Sequence, residues 1–366
     1  MSTNRTKYLK TDIVYCQNSL EKLKDFPDES VHCCVTDPPY GINMLDSKVF
    51  RDKFENYQKW TECWASEMFR ILKPGGSLFC FSATKSIHRC MVGIEDAGFE
   101  IKDLIMWGYL EGMPKTQGLG ILFDEMAGET RDVVSHERPG LVKSWDKDSW
   151  KSGIKSDEPK TELGAKWNDW KTGTIKPMYE PICWAYKRPK IPIYKNVLKN
   201  ELGAMNFGEC RFPDDKYENR KKFNSCSGGK KGIYGNKEIE PLWLPNEKGR
   251  VPGNIVRTNK FGDEFDKNTY LGTDKLIYVK KPQPKETQFC GDHITIKPIK
   301  LMSHLIKLVT IKNQIVIDPF CGTGSTLIAA QINGRKYIGI DIEEEFVNIS
   351  KKRLNLYPKY GRGVSI

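Results

Sequence analysis

The chain has 366 residues, with 58 Lys and Arg against 47 Asp and Glu, a formal charge of +11 that favours a polyanionic partner. Its longest apolar runs are too short to span a bilayer, and Met1–Lys10 has no apolar signal core, so neither a membrane span nor a secretory leader is expected. Eleven cysteines, an odd number with no CxxC pair, and five dispersed histidines exclude zinc spacing and point to reduced thiols in an intracellular, cytoplasmic protein that needs no metal.

The length suits one large α/β domain with an insert, or two domains. A short strand is predicted over Asp12–Tyr15 and a brief helix at Ser19–Leu23. The apolar run Val31–Thr36 reads as a buried strand that Asp37-Pro38-Pro39-Tyr40 closes abruptly. Trp60, Trp64, Met68 and Leu72 recur at i+4 and mark a helix over Tyr57–Leu72, ended by Lys73-Pro74-Gly75-Gly76. Strand, helix and strand follow at Ser77–Phe81, Lys85–Ala97 and Phe99–Trp107. Strands alternating with helices predict a mostly parallel sheet flanked by helices, with ligands at the carboxyl ends of the strands.

From Glu111 to about Lys176 the chain turns polar and glycine-rich, without periodicity. Strand character returns at Glu180–Tyr186. The segment Lys187–Asn200 then carries Lys187, Arg188, Lys190, Lys195 and Lys199 with no acid, interleaved with Tyr194; it suits phosphate contacts or is a solvated basic loop. Gly, Asn, Lys and Pro dominate from Glu201 to about Lys275, apart from a strand at Asn254–Arg257. A target-recognition region is therefore placed at 187–275, between a first catalytic part at 1–186 and a second at 276–366.

The last part is the most regular. After a strand at Leu276–Val279, Lys297-Pro298 opens a helix with Leu301, Leu305, Leu308 and Val309 on one face. The strand Gln314–Ile317 leads through Asp318-Pro319-Phe320-Cys321-Gly322-Thr323-Gly324-Ser325-Thr326 into a helix, then a strand Tyr337–Ile340 closed by Asp341. That is a nucleotide-binding βαβ pattern: glycines admit a close ligand, Ser325 or Thr326 caps the helix, and Asp341 reaches a ribose. Leu327 stands where a pyrophosphate fingerprint would have its third glycine, and an acidic loop start repels phosphate. These features disfavour a nicotinamide dehydrogenase and favour a cationic ligand such as S-adenosylmethionine.

In Asp37-Pro38-Pro39-Tyr40, a carboxylate, a fixed carbonyl and an aromatic ring could be ordinary turn chemistry, but together they suit gripping a flat ring that bears an exocyclic amine. DPPY near the amino end, with KPxxLMxxLIxLVT and DPFCGTGSTLIAA near the carboxyl end, resembles the β group of DNA amino-methyltransferases. In that group the catalytic motif precedes the cofactor motif. Trp107-Gly108-Tyr109, Met113-Pro114-Lys115, Glu180-Pro181-Ile182, Arg250-Val251-Pro252-Gly253-Asn254 and Gly334-Arg335 extend the resemblance, which covers about half of the chain.

The resemblance implies a Rossmann-like methyltransferase fold and an S-adenosylmethionine pocket lined by Asp318, Phe320, Gly322, Gly324, Ser325, Thr326 and Asp341. Lys297 and Asp37 lie nearby, and Asn18 stands where relatives carry an acid. It also implies methyl transfer to a flipped base held by Asp37, Pro38, Pro39 and Tyr40, on duplex DNA, by a protein that is often a homodimer. Asp at the first position goes with the 6-amino group of adenine in that group, and Ser with the 4-amino group of cytosine. Adenine is therefore expected, with cytosine, or a non-catalytic nucleic-acid-binding relative, as alternatives. His293-Ile294-Thr295-Ile296-Lys297-Pro298 departs from the His-Pro-Thr of adenine-type relatives.

Overall fold

The computed structural model describes residues 9–42, 56–108, 116–135, 154–173, 175, 178–211, 255–257, 277–278, 282, 284–287, 290 and 296–357. They fall into two compact units, 1–110 with 179–366, and 111–178.

In chain order the elements are β1 (Ile13–Cys16), α1 (Ser19–Lys22), β2 (Val31–Thr36), α2 (Tyr57–Ile71), β3 (Leu72–Phe81), α3 (Ile87–Asp96) and β4 (Glu100–Gly108). The second unit holds α4 (Leu119–Met126), β5 (Val133–Ser135), β6 (Ile154–Lys155) and α5 (Glu162–Lys166). The first unit resumes with β7 (Tyr179–Tyr186), α6 (Ile193–Asn200), β8 (Ile255–Arg257), β9 (Ile277–Tyr278) and α7 (Pro284–Thr287). It ends with α8 (Ile299–Val309), β10 (Ile315–Asp318), α9 (Ser325–Ile332), β11 (Lys336–Asp341) and α10 (Glu344–Leu356).

A nine-stranded sheet runs β1-β11-β10-β2-β3-β7-β4-β8-β9. Every pairing in it is parallel except those of β7, which is antiparallel to both neighbours. Side-chain alternation sorts the central strands onto two faces. Cys33, Val35, Phe79 and Phe81 join the core under α8 and α9, whereas Cys34, Leu78 and Cys80 join the core under α2 and α3. The expected apolar face of α8 is buried throughout, with Leu301, Leu305, Leu308 and Val309 all inside. Helix α9 is apolar nearly all round because it lies between α8, α10 and the strands β10 and β11.

Two readings change. Lys73-Pro74-Gly75-Gly76 does not end a helix in a turn; β3 begins at Leu72, and its register against β2 jumps from Val31↔Leu72 to Cys33↔Ser77, so the stretch is a bulge. Gly75 is required there: its φ is +87°, and a Cβ would lie 2.4 Å from the Asn196 amide and 3.0 Å from the Leu202 backbone. The basic segment after Lys187 contains a helix, α6, which packs on β3, and residues 187–211 fall in the first unit. Residues 212–254 and 258–276, most of the expected recognition region, lie outside the described residues.

The second unit, unreadable in the sequence, is built around Asp124. This fully buried carboxylate accepts from Arg131 Nε (2.6 Å), Thr161 Oγ1 (2.6 Å), Thr161 N (3.0 Å) and Lys160 N (3.2 Å). Burial alone would push its pKa up, but the hydrogen bonds from Thr161 and Arg131 hold it at about 2. Among the described residues, no helix is long and apolar enough to cross a membrane, and no His, Cys, Asp and Glu side chains group as metal ligands.

Candidate active site

Parallel strands deliver their last residues to one edge, and the acids converge there. Asp37 follows β2, Asp318 ends β10 and Asp341 ends β11. Because β7 runs the other way, its start, Glu180, comes to the same edge, opposite Trp107. Lys297 precedes α8, which packs over β2 and β3 and so brings its amino end to that edge too.

These side chains form one cluster. Lys297 Nζ donates to Asp37 Oδ2 at 2.5 Å and to the Tyr40 hydroxyl at 3.2 Å, and pairs with Glu180 Oε2 at 3.3 Å. The Tyr40 hydroxyl lies 2.6 Å from Asp37 Oδ1 and 3.1 Å from Glu180 Oε2. The ammonium also sits 5.2 Å from the centre of the Phe81 ring. Burial would lower the Lys297 pKa, but Asp37 and Glu180 outweigh it and raise it, so the residue stays a cation. Burial and the same two carboxylates raise Tyr40 well above the ordinary phenol value, so it stays neutral.

The neighbouring loop is held by its own acids. Asp318 Oδ1 accepts from Thr36 Oγ1 at 2.7 Å and from the Phe320 amide at 3.1 Å. Burial pushes the Asp318 carboxyl up to about 7, against hydrogen bonds from Thr36 and Thr326. Asp341 accepts from the Gly322 amide (2.8 Å) and the Glu343 amide (3.0 Å), while burial raises its pKa. Asn18 lies at the end of β1, beside β11, and caps α1 through Leu20 N at 2.9 Å; Ser19 Oγ reaches the Pro319 carbonyl. Phe320 packs between Trp60 and Trp64, at 5.5 and 5.7 Å between ring centres.

The structure places the loops after β2 and β10 and the ends of β1 and β11 at one edge of the sheet, and three details differ from the expectation. Neither Ser325 nor Thr326 caps α9, whose cap is Gly324. Instead Thr326 serves Asp318, and Ser325 meets the Arg353 guanidinium at 3.4 Å. Gly324, at φ +82°, makes room for α10, since a Cβ would lie 2.3 Å from Ser350 Oγ. Lys297 is a partner of Asp37 and not only a neighbour of the loop.

The basic residues of 187–199 are not brought to this edge. β7 ends beside the start of β3 (Ser77↔Tyr186), so they lie at the opposite end of the sheet. There Lys187 donates to the Leu72 carbonyl (2.9 Å) and pairs with Glu29, and Arg188 pairs with Glu100 at 2.8 Å. Lys190, Lys195 and Lys199 are exposed.

Sequence reasoning missed three residues of the site. Glu180 is 143 positions from Asp37 and opens an ordinary apolar strand; its one signal is an acid where that strand should begin. Thr36 reads as the end of a strand. Arg353, buried in α10, donates to the Thr323 carbonyl at 2.5 Å and Thr323 Oγ1 at 2.9 Å, and nothing in its local sequence links it to the loop.

An α/β sheet with an acidic loop after one strand and a glycine-containing acidic loop after its neighbour defines a Rossmann-like protein, in which ligands sit at the carboxyl ends of the strands. Residues 31–352 match the N6/N4 methyltransferase family, described as DNA methylase, and the chain belongs to that family. It is a DNA methyltransferase of the N6-adenine or N4-cytosine kind. It is 25% identical over 382 residues to the type II methyltransferase M.HindIII of Haemophilus influenzae, covering 94% of this chain and 96% of that one. It is 23% identical over 347 residues to the DNA adenine methyltransferase YhdJ of Escherichia coli, covering 94% and 82%. Among solved structures, the PvuII DNA methyltransferase (cytosine-N4-specific) aligns with 97% of this chain and 89% of its own, at 17% identity and a TM-score of 0.46.

Proposed function

We propose that the protein transfers a methyl group from S-adenosylmethionine to the 6-amino group of adenine in duplex DNA. The observation that carries this reading is the pair of adjacent strand ends. Asp37 after β2 can hold an amine, and Asp318 at the end of β10, joined to β2 through Thr36, can hold a cationic donor beside it. The donor set fits that cofactor. Asp318 and Asp341 are acids with raised pKa values, so a ligand with an ammonium and a sulfonium relieves the cost of their buried charge. Asn18, Asp318, Phe320, Gly322, Thr326 and Asp341 would hold it; when bound, it supplies a methyl group on positively charged sulfur.

The chain's own residues do the rest. The target base must leave the stack to reach the loop, where the Tyr40 ring supports its face. Asp37 and the Pro38 carbonyl accept the two amine hydrogens. That draws the nitrogen lone pair out of conjugation with the ring and aims it at the methyl carbon, and the carboxylate stabilises the positive charge that develops. Asp37, rather than Ser, at the first position favours adenine, as does the name of the relative YhdJ.

The test is methyl transfer from labelled S-adenosylmethionine to undermethylated duplex DNA, with nucleoside mass analysis of the product. 6-Methyladenine is expected. 4-Methylcytosine would overturn the base, and no transfer to any nucleic acid despite cofactor binding would overturn the reading.

A further inference from the structure

Methyl transfer to an amine leaves a proton to be disposed of. The Tyr40 hydroxyl has one hydrogen and lies between two carboxylates, 2.6 Å from Asp37 Oδ1 and 3.1 Å from Glu180 Oε2. Lys297 reaches both acids, so the cluster of Asp37, Glu180, Lys297 and neutral Tyr40 carries a net charge of one negative unit. One proton brings it to neutrality.

We infer that Glu180 is the terminal acceptor of the reaction's proton, reached from Asp37 through the Tyr40 hydroxyl. This rests on the methyl-transfer reading above. As the nitrogen–methyl bond forms, the carbon–sulfur pair stays on sulfur and the nitrogen becomes positive. It gives a proton to Asp37 Oδ1. Asp37 passes that proton to the Tyr40 oxygen while Tyr40 passes its own hydrogen to Glu180 Oε2, so Asp37 is again an anion and Glu180 is neutral. The Glu180 side chain keeps 23% of its exposure, which gives the proton a way out to water. Lys297 is held as a cation and cannot take the proton; it fixes the two acids on either side of the hydroxyl. Among the described residues, the charged and titratable groups facing the relay are Asp37 and Tyr40 from the loop after β2, Glu180 from β7, Lys297 from before α8, and Asp318 from β10 beside Asp37.

Glu180 is a relay residue that acts through Tyr40 and Asp37, so the experiment needs a readout that mere support of the site would not move. Glu180→Gln, Tyr40→Phe and the double variant are compared with the parent chain in single-turnover methyl transfer to duplex DNA across pH, with cofactor affinity measured by calorimetry. Each single variant is expected to lose roughly 10–100-fold in rate while keeping its cofactor affinity. The double variant should lose no more than either single one, because both cut the same chain. In Glu180→Gln the loss should fall on the single-turnover rate and not on the affinity for cofactor or duplex DNA.

Multiplying losses in the double variant, or a loss that falls on affinity instead of rate, would overturn the relay. Should Glu180→Gln fail to fold, Tyr40→Phe decides alone: a loss below about threefold would overturn the relay. Absence of methyl transfer by the parent chain would instead sink the reading on which the relay rests.

Discussion

At the carboxyl edge of the sheet stand Asp37, Glu180, Asp318 and Asp341 with Lys297 among them, each buried or half-buried and each tied to a partner. At the opposite edge stand Lys187, Arg188, Lys190, Lys195 and Lys199, most of them in water. The two edges are separated by the six residues of β2, about 20 Å at roughly 3.3 Å per residue. Charge that is buried and paired sets the energy of a reaction. Charge that is solvated and more than a Debye length of about 8 Å away does not reach it. That difference is why the chemistry is proposed at the acidic edge and not at the basic one.

The sharpest way to break that assignment is Asp37→Ala. Removing the acceptor of the amine hydrogens should lower kcat by about 10²–10⁴-fold and leave cofactor affinity within about threefold, read by calorimetry beside steady-state rates. A fully active variant would empty the acidic edge of its role.

Asp318→Asn separates binding from stability. The folded carboxyl titrates at about 7 against an ordinary 3.8, so the folded state keeps a proton that the unfolded chain has released. Stability of the ligand-free protein should then fall as pH rises from about 4 to about 7, by up to roughly 4 kcal/mol, and level off above that. The Asn variant has no such slope, so at pH 8 it should be about 1–3 kcal/mol more stable than the parent yet bind S-adenosylmethionine about 10–100-fold more weakly. For the parent, affinity should rise with pH through 7. Urea unfolding and calorimetry across pH 5–9 check both signs.

Gly324→Ala tests whether that glycine serves the ligand or the fold. With φ at +82° and Ser350 Oγ 2.3 Å from the new Cβ, the cost should be about 1–3 kcal/mol of stability, seen as a lower Tm with or without cofactor. A variant with unchanged Tm but lost affinity would return the glycine to the ligand.

How much of this was legible depended on whether the signal was local. The strand–loop–helix around Asp318, the strand that ends at the DPPY loop and the amphipathic helix over Leu301, Leu305 and Leu308 are written in consecutive residues, and each forms where the pattern places it. The reversed direction of β7 is not local. An apolar run such as Ile182-Cys183-Trp184-Ala185 is the same in either direction, and only its pairing with β3 and β4 settles which way it runs. That reversal brings Glu180 to the site, so the residue was invisible for the same reason. Helix α6 was missed because Lys195, Asn196, Lys199 and Asn200 read as solvated loop, whereas the Asn196 amide donates to the carbonyls of Pro74 (2.9 Å) and Leu202 (2.8 Å) and anchors the helix. The second unit escaped because its organising group is a buried acid, Asp124, whose partners Arg131, Thr161 and Lys160 have no spacing that a pattern could flag.

The smallest expected effect tests the basic edge itself. Residues 187–275 hold 19 Lys and Arg against 12 Asp and Glu, so this stretch carries most of the chain's net positive charge. Within it, Lys190, Lys195 and Lys199 are exposed to solvent. They lie at the other end of β2, a strand about 20 Å long, from the loop proposed to receive the base. If they meet DNA, changing all three to Ala should flatten the dependence of log affinity on log salt by roughly 2.7, about 0.9 for each phosphate that is no longer neutralised. The geometry instead gives a change below about 0.5 in that slope and an affinity within about twofold of the parent's, measured by anisotropy from low to physiological salt. A slope change near the larger value would mean that DNA wraps past the edge opposite the chemistry. The small change would direct the search for phosphate-binding groups to the lysines and arginines of 212–275.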